Sequence, residues 1–364
     1  MVLELRAHEV LETIVIATAQ HREMLDQVLE LFRITPDVDL DLSRPQQTLE
    51  GLTGRCLTAL TELFRAERPD LVIVQGDTTT AFAAALAAFY QNIPVAHVEA
   101  GLRTGDNRAP FPEEVNRRMI SILATLHLAP TESNRRNLLA ENVKPAEIVI
   151  TGNTAIDALH WALAQTAPST DATLEPLRTC TSRLIVVTAH RRESWGAPLA
   201  GIAQALAAIA RDEPDTMIIF PVHRNPVVRD IVVPALEGVH NVRLLDPVGY
   251  LDFARLMTWS YLILTDSGGI QEEAPSLGKP VLVLRDATER PEAVEYGTVR
   301  LVGTAPAAIY DATISLLGDD GAYNAMARAV NPYGDGRAAG RIVAAVAHLL
   351  GEGPPADEFT VPTA

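Results

Sequence analysis

Short apolar runs alternate with longer, alanine- and leucine-rich segments along almost the whole chain. Each run is rich in Val, Ile and Leu, which is typical of a strand buried on both faces of a parallel sheet, and a segment of helical length follows it. The candidate strands are 13–17, 71–74, 95–98, 126–129 and 148–150 in a first set, and 184–187, 217–220, 242–245, 262–264 and 281–284 in a second. This alternation predicts α/β architecture with parallel sheets.

A polar, proline-containing stretch at 162–182 separates the two sets of strands. It predicts a linker near Ala167 and two Rossmann-like domains, 1–167 and 168–331. The 364 residues, of which 48% are hydrophobic, suffice for two cores. The last residues, 351–364, are rich in proline and acidic side chains and predict a disordered tail.

Residues 262–280 combine a buried strand, two glycines and the start of a helix. Ser267 suits an N-cap, and Gly268 and Gly269 let a ligand approach the free amides, so the segment predicts an anion site at a helix N-terminus. Glu272 and Glu273 lie one turn further, where a carboxylate accepts hydrogen bonds from ribose hydroxyls in dinucleotide folds. A simple capped helix whose acids complement its dipole explains the same residues.

Polar side chains also follow the other predicted strands, at the sheet edge where ligands bind in open α/β folds. Asp77 and Glu99 end two strands of the first set, and Glu113 and Glu114 begin a helix after a long charged loop. Several carboxylates near one site favour proton transfer at carbon. Alternatively, the two glutamates are helix-start acids, with Glu113 paired to Arg117 four residues later.

Two histidines, His190 and His223, follow strands of the second set and precede arginines. With Arg191 they suit a doubly charged diphosphate. The sequence has neither a Gly-x-Gly-x-x-Gly after a strand nor a metal-ligand spacing, so we expect no cofactor and no metal.

The net charge of −16 argues against nucleic acid or an anionic membrane as a partner. The two cysteines fit no disulfide framework, and the charged N-terminus does not resemble a signal peptide. We therefore expect a cytoplasmic protein.

The strings QGDTTT, HVEAGLRTGD, PEEVNRR, ITGNTAIDAL, TAHRRE, DSGGIQEEAPSLGKPVLVLRDATERPE and NPYGDG together resemble the bacterial non-hydrolysing UDP-N-acetylglucosamine 2-epimerases. The resemblance implies a glycosyltransferase-B-like fold, in which two Rossmann-like domains have parallel sheets facing a central cleft. It also implies that a C-terminal helix within 332–350 returns to the first domain. The expected reaction interconverts UDP-N-acetylglucosamine and UDP-N-acetylmannosamine for ManNAc-containing surface polysaccharides. It proceeds by anti elimination of UDP and re-addition to 2-acetamidoglucal.

The resemblance also assigns residues to roles, each by a matching position in this chain. It makes Asp77, Glu99 and Glu113 the acid and base candidates and places His190 near the diphosphate. The implied substrate-binding residues are Arg117, Phe253, Ser267, Gly268, Gly269, Glu273 and Arg290. A second, allosteric UDP-N-acetylglucosamine site implies Gln20, Arg55, Arg191 and His223, and relatives are commonly homodimers.

One part of the family pattern is missing, because the family's first strand and its Gly-Thr-Arg-Pro-Glu loop precede the point at which this sequence starts. A start site placed too far downstream is the expected explanation. Three alternatives stay open at this stage: a hydrolysing epimerase that releases free ManNAc, a glycosyltransferase of the same fold, and an inactive UDP-sugar-binding protein.

Overall fold

The computed structural model describes residues 1–19, 22–44, 47–165, 173–191 and 194–362, with the backbone alone at 23 and 24. The chain forms two compact units. Unit 1 comprises Met1–Asp157 and Tyr333–Thr360, and unit 2 comprises Ala158–Pro332 and the residues from Val361 onward. The predicted linker at Ala167 lies outside the described residues.

The helices and strands of unit 1 follow the predicted alternation. Its helices are α1 (Val2–Ala7), α2 (Arg22–Leu31), α3 (Leu49–Glu67), α4 (Thr79–Tyr90), α5 (Glu113–Leu123), α6 (Glu132–Ala140) and α7 (Thr154–Leu163), the last of which continues into unit 2. Its strands are β1 (Ile16–Ala17), β2 (Val38–Asp39), β3 (Val72–Gln75), β4 (Val95–Val98), β5 (Leu126–Ala129) and β6 (Ile148–Ile150).

Two parallel sheets form the centre of unit 1 within the described residues: β3-β4-β5-β6 and the short pair β1-β2. One apolar cluster connects them, since Ile16 and Leu40 pack on the core that Val74 shares with α3 and α4. The register pairs Gln75 with Val98, so the turns after β3 and β4 lie side by side.

Unit 2 has longer strands and a larger apolar core. Its strands are β7 (Arg183–Thr188), β8 (Thr216–Pro221), β9 (Val242–Leu245), β10 (Leu262–Thr265), β11 (Val281–Val283) and β12 (Val299–Leu301). Its helices are α8 (Glu175–Arg178), α9 (Ala197–Asp212), α10 (Pro226–Leu236), α11 (Tyr250–Trp259), α12 (Gly268–Glu273), α13 (Pro291–Glu295), α14 (Pro306–Gly318) and α15 (Asp320–Ala327).

The strands of unit 2 form one parallel sheet in the order β12-β11-β10-β7-β8-β9. Counted within the unit, this is the Rossmann strand order. Successive strands are added on one side of β7 as far as β9 and then on its other side from β10 onward, so the switch point lies between β7 and β10. Thr265 pairs with Thr188 at that point, and their hydroxyl groups lie 2.7 Å apart. Ligands of open α/β sheets bind beyond this switch point. We therefore expect the residues that follow β7 and β10 to contact a ligand.

The chain returns to unit 1 through helix α16 (Ala338–Leu349). The Asp157 carboxylate accepts hydrogen bonds from the Ala338 and Ala339 amides at 3.1 and 2.8 Å. This contact at the start of α16 explains why unit 1 ends within α7, before the predicted boundary at 167.

The prediction of a disordered tail was wrong for the described part of 351–364. Phe359 is buried, and its amide donates to the Ile150 carbonyl at the edge strand β6. The Glu358 carboxylate also pairs with Arg135 at 2.8 Å. A buried aromatic ring, a backbone hydrogen bond and an ion pair thus hold a segment whose composition is otherwise typical of disorder.

Two strands escaped prediction, because β2 spans two residues and β12 is a short edge strand with an exposed arginine at its centre. In the part of the chain that the structure describes, no helix combines the length and apolar character needed to cross a membrane.

Candidate active site

In unit 1, two of the predicted carboxylates lie on neighbouring turns. Asp77 follows β3 and Gly76, and Glu99 follows β4 directly. Both Gly76 and Glu99 have positive φ, 69° and 65°, which is rare for a glutamate and turns the chain sharply at the strand end. A Cβ atom on Gly76 would lie 3.4 Å from Glu99 Oε2. The Glu99 carboxylate therefore lies over the residue that precedes Asp77.

Helix α5 holds the Asp77 turn through two side chains. The Arg117 guanidinium is 5% exposed and donates to Asp77 Oδ2 at 2.5 Å and to Glu114 Oε2 at 3.2 Å. The Asn116 amide donates to the Asp77 carbonyl at 2.9 Å. The alternative interpretation paired Arg117 with Glu113, but Arg117 pairs instead with Glu114, three residues away, and with Asp77.

Glu114 also fixes the charged loop before α5. Its carboxylate is fully buried and accepts hydrogen bonds from the Thr104 and Gly105 amides at 3.0 and 3.4 Å. Glu114 is therefore more than the helix-start acid of the simpler interpretation. Glu113 is half-buried at the first position of this anchored helix.

His97 supports the same turn from within β4. Its ring is fully buried, and Nε2 lies 2.8 Å from the Gly76 carbonyl. Burial lowers the pKa of His97 to about 3, against the smaller raising effect of this hydrogen bond, so the ring stays neutral at physiological pH. With Nε2 as the donor, the neutral ring fixes the peptide that precedes Asp77.

In unit 2, the segment after β10 forms the predicted turn and helix start. Ser267 occupies the N-cap position of α12, but its side chain makes no capping hydrogen bond, contrary to expectation. Gly268 is buried beneath Arg290, and a Cβ atom there would lie 2.3 Å from Arg290 Nη1. Gly269 is exposed and has free space where a side chain would begin. Gly268 is thus required for packing.

Arg290 lies in a network of buried charges beside that glycine. Its Nε donates to Glu272 at 2.5 Å and its Nη1 to Glu289 at 2.7 Å. Glu289 also accepts from Arg285 at 2.8 Å and from Arg191 at 3.3 Å. Burial would raise the pKa of Glu289, but Arg290 and Arg285 outweigh it and lower this pKa to about 2. Glu272 and Glu289 thus both bind the Arg290 guanidinium and hold it beside Gly268.

Glu273, the predicted ribose residue, has a different environment from its neighbour. It is half-buried and accepts a hydrogen bond from the Tyr250 hydroxyl at 2.9 Å. Burial raises the pKa of Glu273 to about 7, and the Tyr250 hydrogen bond opposes this rise. Phe253 lies three residues after Tyr250 on α11 and is half-buried. Residues three apart share a helix face, which associates Phe253 with Glu273.

The loop after β7 lies against the end of β10. The Asp266 carboxylate, which is fully buried, accepts hydrogen bonds from the His190 and Arg191 amides at 2.7 and 2.8 Å. The His190 ring is exposed and stacks against the ring of His223, with centroids 6.0 Å apart and an interplanar angle of 13°. His190, Arg191 and His223 are thus brought together at the switch point.

The remaining predicted residues contribute less to this geometry. Arg55 in unit 1 donates to the Gln47 side chain at 2.7 Å and is half-buried. Gln20 lies outside the described residues. Sequence reasoning missed Asp266, Glu289 and Tyr250 as partners of site residues. Asp266 follows a strand as Asp77 does, so the rule that found Asp77 also applies to it.

Residues 3–347 match the family model for UDP-N-acetylglucosamine 2-epimerase. This chain belongs to that family. The UDP-N-acetylglucosamine 2-epimerase of Escherichia coli K12 is 55% identical over 340 residues, which are 92% of this chain and 90% of the relative.

Two solved structures of the UDP-N-acetylglucosamine 2-epimerase family resemble this chain closely. The enzyme from Neisseria meningitidis, bound to UDP-GlcNAc, has a TM-score of 0.86 and 47% identity, and the match covers 96% of this chain and 95% of that one. The enzyme from Methanocaldococcus jannaschii, in complex with UDP-GlcNAc and UDP, has a TM-score of 0.78 and 32% identity over 95% and 94% of the two chains. The predicted family, its isomerase class and the glycosyltransferase-B-like α/β fold are confirmed.

Proposed function

We propose that this chain interconverts UDP-N-acetylglucosamine and UDP-N-acetylmannosamine by elimination and re-addition of UDP. A carboxylate removes the hydrogen on sugar carbon 2 as a proton. The bond from carbon 1 to the diphosphate oxygen breaks, UDP leaves with the electron pair, and 2-acetamidoglucal remains. Proton delivery to the opposite face and return of UDP to carbon 1 complete the epimerisation.

The position of Asp77 and Glu99 on adjacent strand ends carries this proposal. Arg117 and Asn116 hold the turn that contains Asp77, and Glu99 lies over Gly76 beside it. Two fixed carboxylates supply a base for one face of the sugar and an acid for the other. We assign Asp77, Glu99 and Glu113 to this proton transfer without dividing the acid and base roles among them.

The side chains and free amides at the switch point of unit 2 suit the binding of UDP. We propose that His190, Ser267 and the amides of Gly268 and Gly269 bind the diphosphate, with Arg290 beside them. The Ser267 hydroxyl does not cap its helix, which favours a role toward the ligand. Glu273 would accept hydrogen bonds from the ribose hydroxyls, and Phe253 would contact the uracil.

Proton NMR in heavy water tests the reaction. The purified chain is incubated with UDP-N-acetylglucosamine, and deuterium is expected at sugar carbon 2 in both UDP-sugars. Free ManNAc would favour a hydrolysing epimerase, and transfer of the sugar to an acceptor a glycosyltransferase. Binding without exchange would indicate an inactive UDP-sugar-binding protein.

Matched variants locate the proton transfer. Asp77→Asn and Glu99→Gln should each abolish exchange, because both keep the shape of the side chain and remove its basicity. Glu132→Gln changes an exposed acid at the start of α6 and should keep the wild-type rate. Wild-type exchange in both site variants would contradict the proposed roles.

We further propose that a second UDP-N-acetylglucosamine activates the enzyme through Arg55, Arg191 and His223. The stacking of His223 on His190 supports a physical link between the proposed activator residues and the residues proposed for the diphosphate. Wild-type rates should then depend sigmoidally on substrate concentration, and those of His223→Ala hyperbolically. Hyperbolic wild-type kinetics would contradict activation.

We also propose a homodimer that forms through the exposed apolar face of α5. Val115, Met119 and Ile122 are exposed along this helix, and Ile122 is 78% exposed. Helix α4 packs on α5, runs in the same direction, and ends in exposed Phe89 and Tyr90. Residues 115–122 carry no acid. In a chain with a net charge of −16, two copies meet there with little repulsion.

Sedimentation velocity tests the dimer. Met119→Glu with Ile122→Glu should give a monomer, whereas Leu349→Glu, at an exposed apolar residue of α16, should keep the wild-type size. An unchanged dimer in the double variant would exclude this face.

The proposed epimerase function also includes a cytoplasmic location and a role in the synthesis of ManNAc-containing polysaccharides.

A further inference from the structure

Asp266 has no role in the reaction described above, yet it joins two parts of the proposed diphosphate site. It follows β10 and immediately precedes Ser267, and its side chain is fully buried. Its Oδ2 atom accepts hydrogen bonds from the His190 and Arg191 amides. The loop after β7 is thereby fixed to the residue before the start of α12.

The second carboxylate oxygen of Asp266 faces the His190 ring. Oδ1 is buried and lies 3.2 Å from His190 Nδ1, and among the described residues it accepts no hydrogen bond of regular geometry. Burial would raise the pKa of Asp266, but the hydrogen bonds from His190 and from the Arg191 amide outweigh it and lower this pKa. Asp266 is therefore ionised at neutral pH, and an ionised carboxylate requires a donor at Nδ1.

The strand register makes this contact specific to the switch point. Thr265 pairs with Thr188, and the Asp266 amide donates to the Thr188 carbonyl at 3.2 Å. Asp266 directly follows the last residue of β10, and His190 lies two residues after the last residue of β7. Parallel neighbours at the switch point therefore place a carboxylate on one strand end against an imidazole on the other.

We propose that Asp266 is the positioning residue of His190, holding the proton on Nδ1 so that Nε2 is presented to the diphosphate. A carboxylate that orients a histidine in this way fixes both the tautomer and the direction of the ring. The ring acts on the diphosphate in its doubly protonated form: Nε2–H donates to the diphosphate oxygen as its bond to carbon 1 breaks, and Asp266 compensates the positive charge of the ring. The proton stays on Nε2 when UDP returns. This inference rests on the proposed function of His190.

Asp266→Asn tests the proposal because it keeps the volume of the side chain. The amide oxygen can still accept from the two backbone amides, but the amide NH₂ group then faces Nδ1. A donor at that position favours the proton on Nε2 instead. We expect kcat to fall by at least about 100-fold, with KM changed by less than about threefold, because the lost interaction matters in the transition state.

Asp319→Asn is the matched control. Asp319 also accepts hydrogen bonds from two backbone amides, at 2.8 and 3.0 Å, but it lies at the start of α15 and outside the site. Its substitution should leave kcat unchanged. A folded Asp266→Asn enzyme with the kcat of this control would overturn the proposal.

Nitrogen-15 NMR of histidine-labelled protein separates this inference from the proposed function. The His190 signals, assigned by their loss in His190→Gln, should show a protonated Nδ1 in the neutral ring of the wild type and a protonated Nε2 in that of Asp266→Asn. This readout does not depend on turnover. Absent deuterium exchange in the wild type would contradict the proposed function, whereas the same tautomer in both proteins would contradict the role of Asp266.

A second variant covers the possibility that Asp266→Asn does not fold. Asp266→Ser keeps a small acceptor for the backbone amides but does not reach the ring, so both tautomers of His190 should be populated and kcat should again fall. A wild type whose neutral His190 ring carries its proton on Nε2, or an Asp266→Ser protein with wild-type kcat, would overturn the proposal.

Discussion

The two units fix their site residues by different means. In unit 1, the carboxylates proposed for proton transfer lie on sharp turns, and one buried arginine and one neutral histidine hold the Asp77 turn. In unit 2, the residues proposed for the diphosphate lie at a topological switch point, where an ionised Asp266 and a network around Arg290 fix them. The comparison teaches that a cation holds a carboxylate proposed for proton transfer, whereas carboxylates hold the residues proposed for the diphosphate.

This difference follows from the charge that each site must present. Proton abstraction needs a carboxylate, so the supporting groups must be positive or neutral to keep it ionised. A diphosphate site needs positive groups and free amides, and buried arginines remain in place only when carboxylates compensate their charge.

The largest effect should come from removing the cation of unit 1. Arg117→Met keeps the length of the side chain but leaves the buried Glu114 and the nearby Asp77 without their partner. Breaking a buried pair in this way typically costs about 3–5 kcal/mol of unfolding free energy. Urea unfolding measures this loss. Arg118→Met, at a half-exposed residue of the same helix, should cost less than about 1 kcal/mol; equal losses would show that burial of Arg117 is unimportant.

An intermediate effect should follow from displacing the cation of unit 2. In Gly268→Ala, the new methyl group would overlap Arg290, which is 12% exposed and already bonded to Glu272 and Glu289. Overpacking of this kind costs about 1–3 kcal/mol, and we expect at least tenfold weaker UDP binding by calorimetry. Gly269→Ala has free space in the same helix and should not lower stability. Wild-type UDP affinity in Gly268→Ala would show that Arg290 does not need its present position.

The smallest effect should appear in the pH dependence of nucleotide binding. The pKa of Glu273 is about 7, so this carboxyl group is protonated below that pH and ionised above it. Ribose hydroxyls donate best to the ionised form, and KM for UDP-N-acetylglucosamine should therefore rise as pH falls from 8 to 6. Glu273→Gln should remove this dependence.

Tyr250→Phe sharpens the same test. It removes the hydrogen bond that lowers the pKa of Glu273, so the midpoint of the KM profile should move to higher pH. A midpoint that does not move would show that Tyr250 leaves the ionisation of Glu273 unaffected in solution.

The raised pKa of Glu273 also makes this residue destabilising in its ionised form. Its contribution to folding stability should therefore decline as pH rises from about 4.5 toward 7.

The pattern of the sequence predicted most strands closely, since β4, β5, β6 and β9 have the predicted bounds. Buried parallel strands are continuous apolar runs, and their ends are marked by the polar residues that follow. For the same reason, the sequence by itself selected Asp77, Glu99, His190 and the Ser267 turn as candidates. Its motifs also placed the chain in its family, which the comparisons confirmed.

Only the tertiary structure decided which partner each side chain has. Glu113 and Glu114 are indistinguishable acids at a helix start, yet burial makes Glu114 the anchor of Arg117 and the preceding loop. Glu272 and Glu273 likewise separate, because the first meets Arg290 and the second Tyr250. Partners from distant segments meet through strand register and helix packing, which local patterns do not encode. The contact of Asp266 with His190 arises in this way, from two strands that are neighbours in the sheet and far apart in the chain.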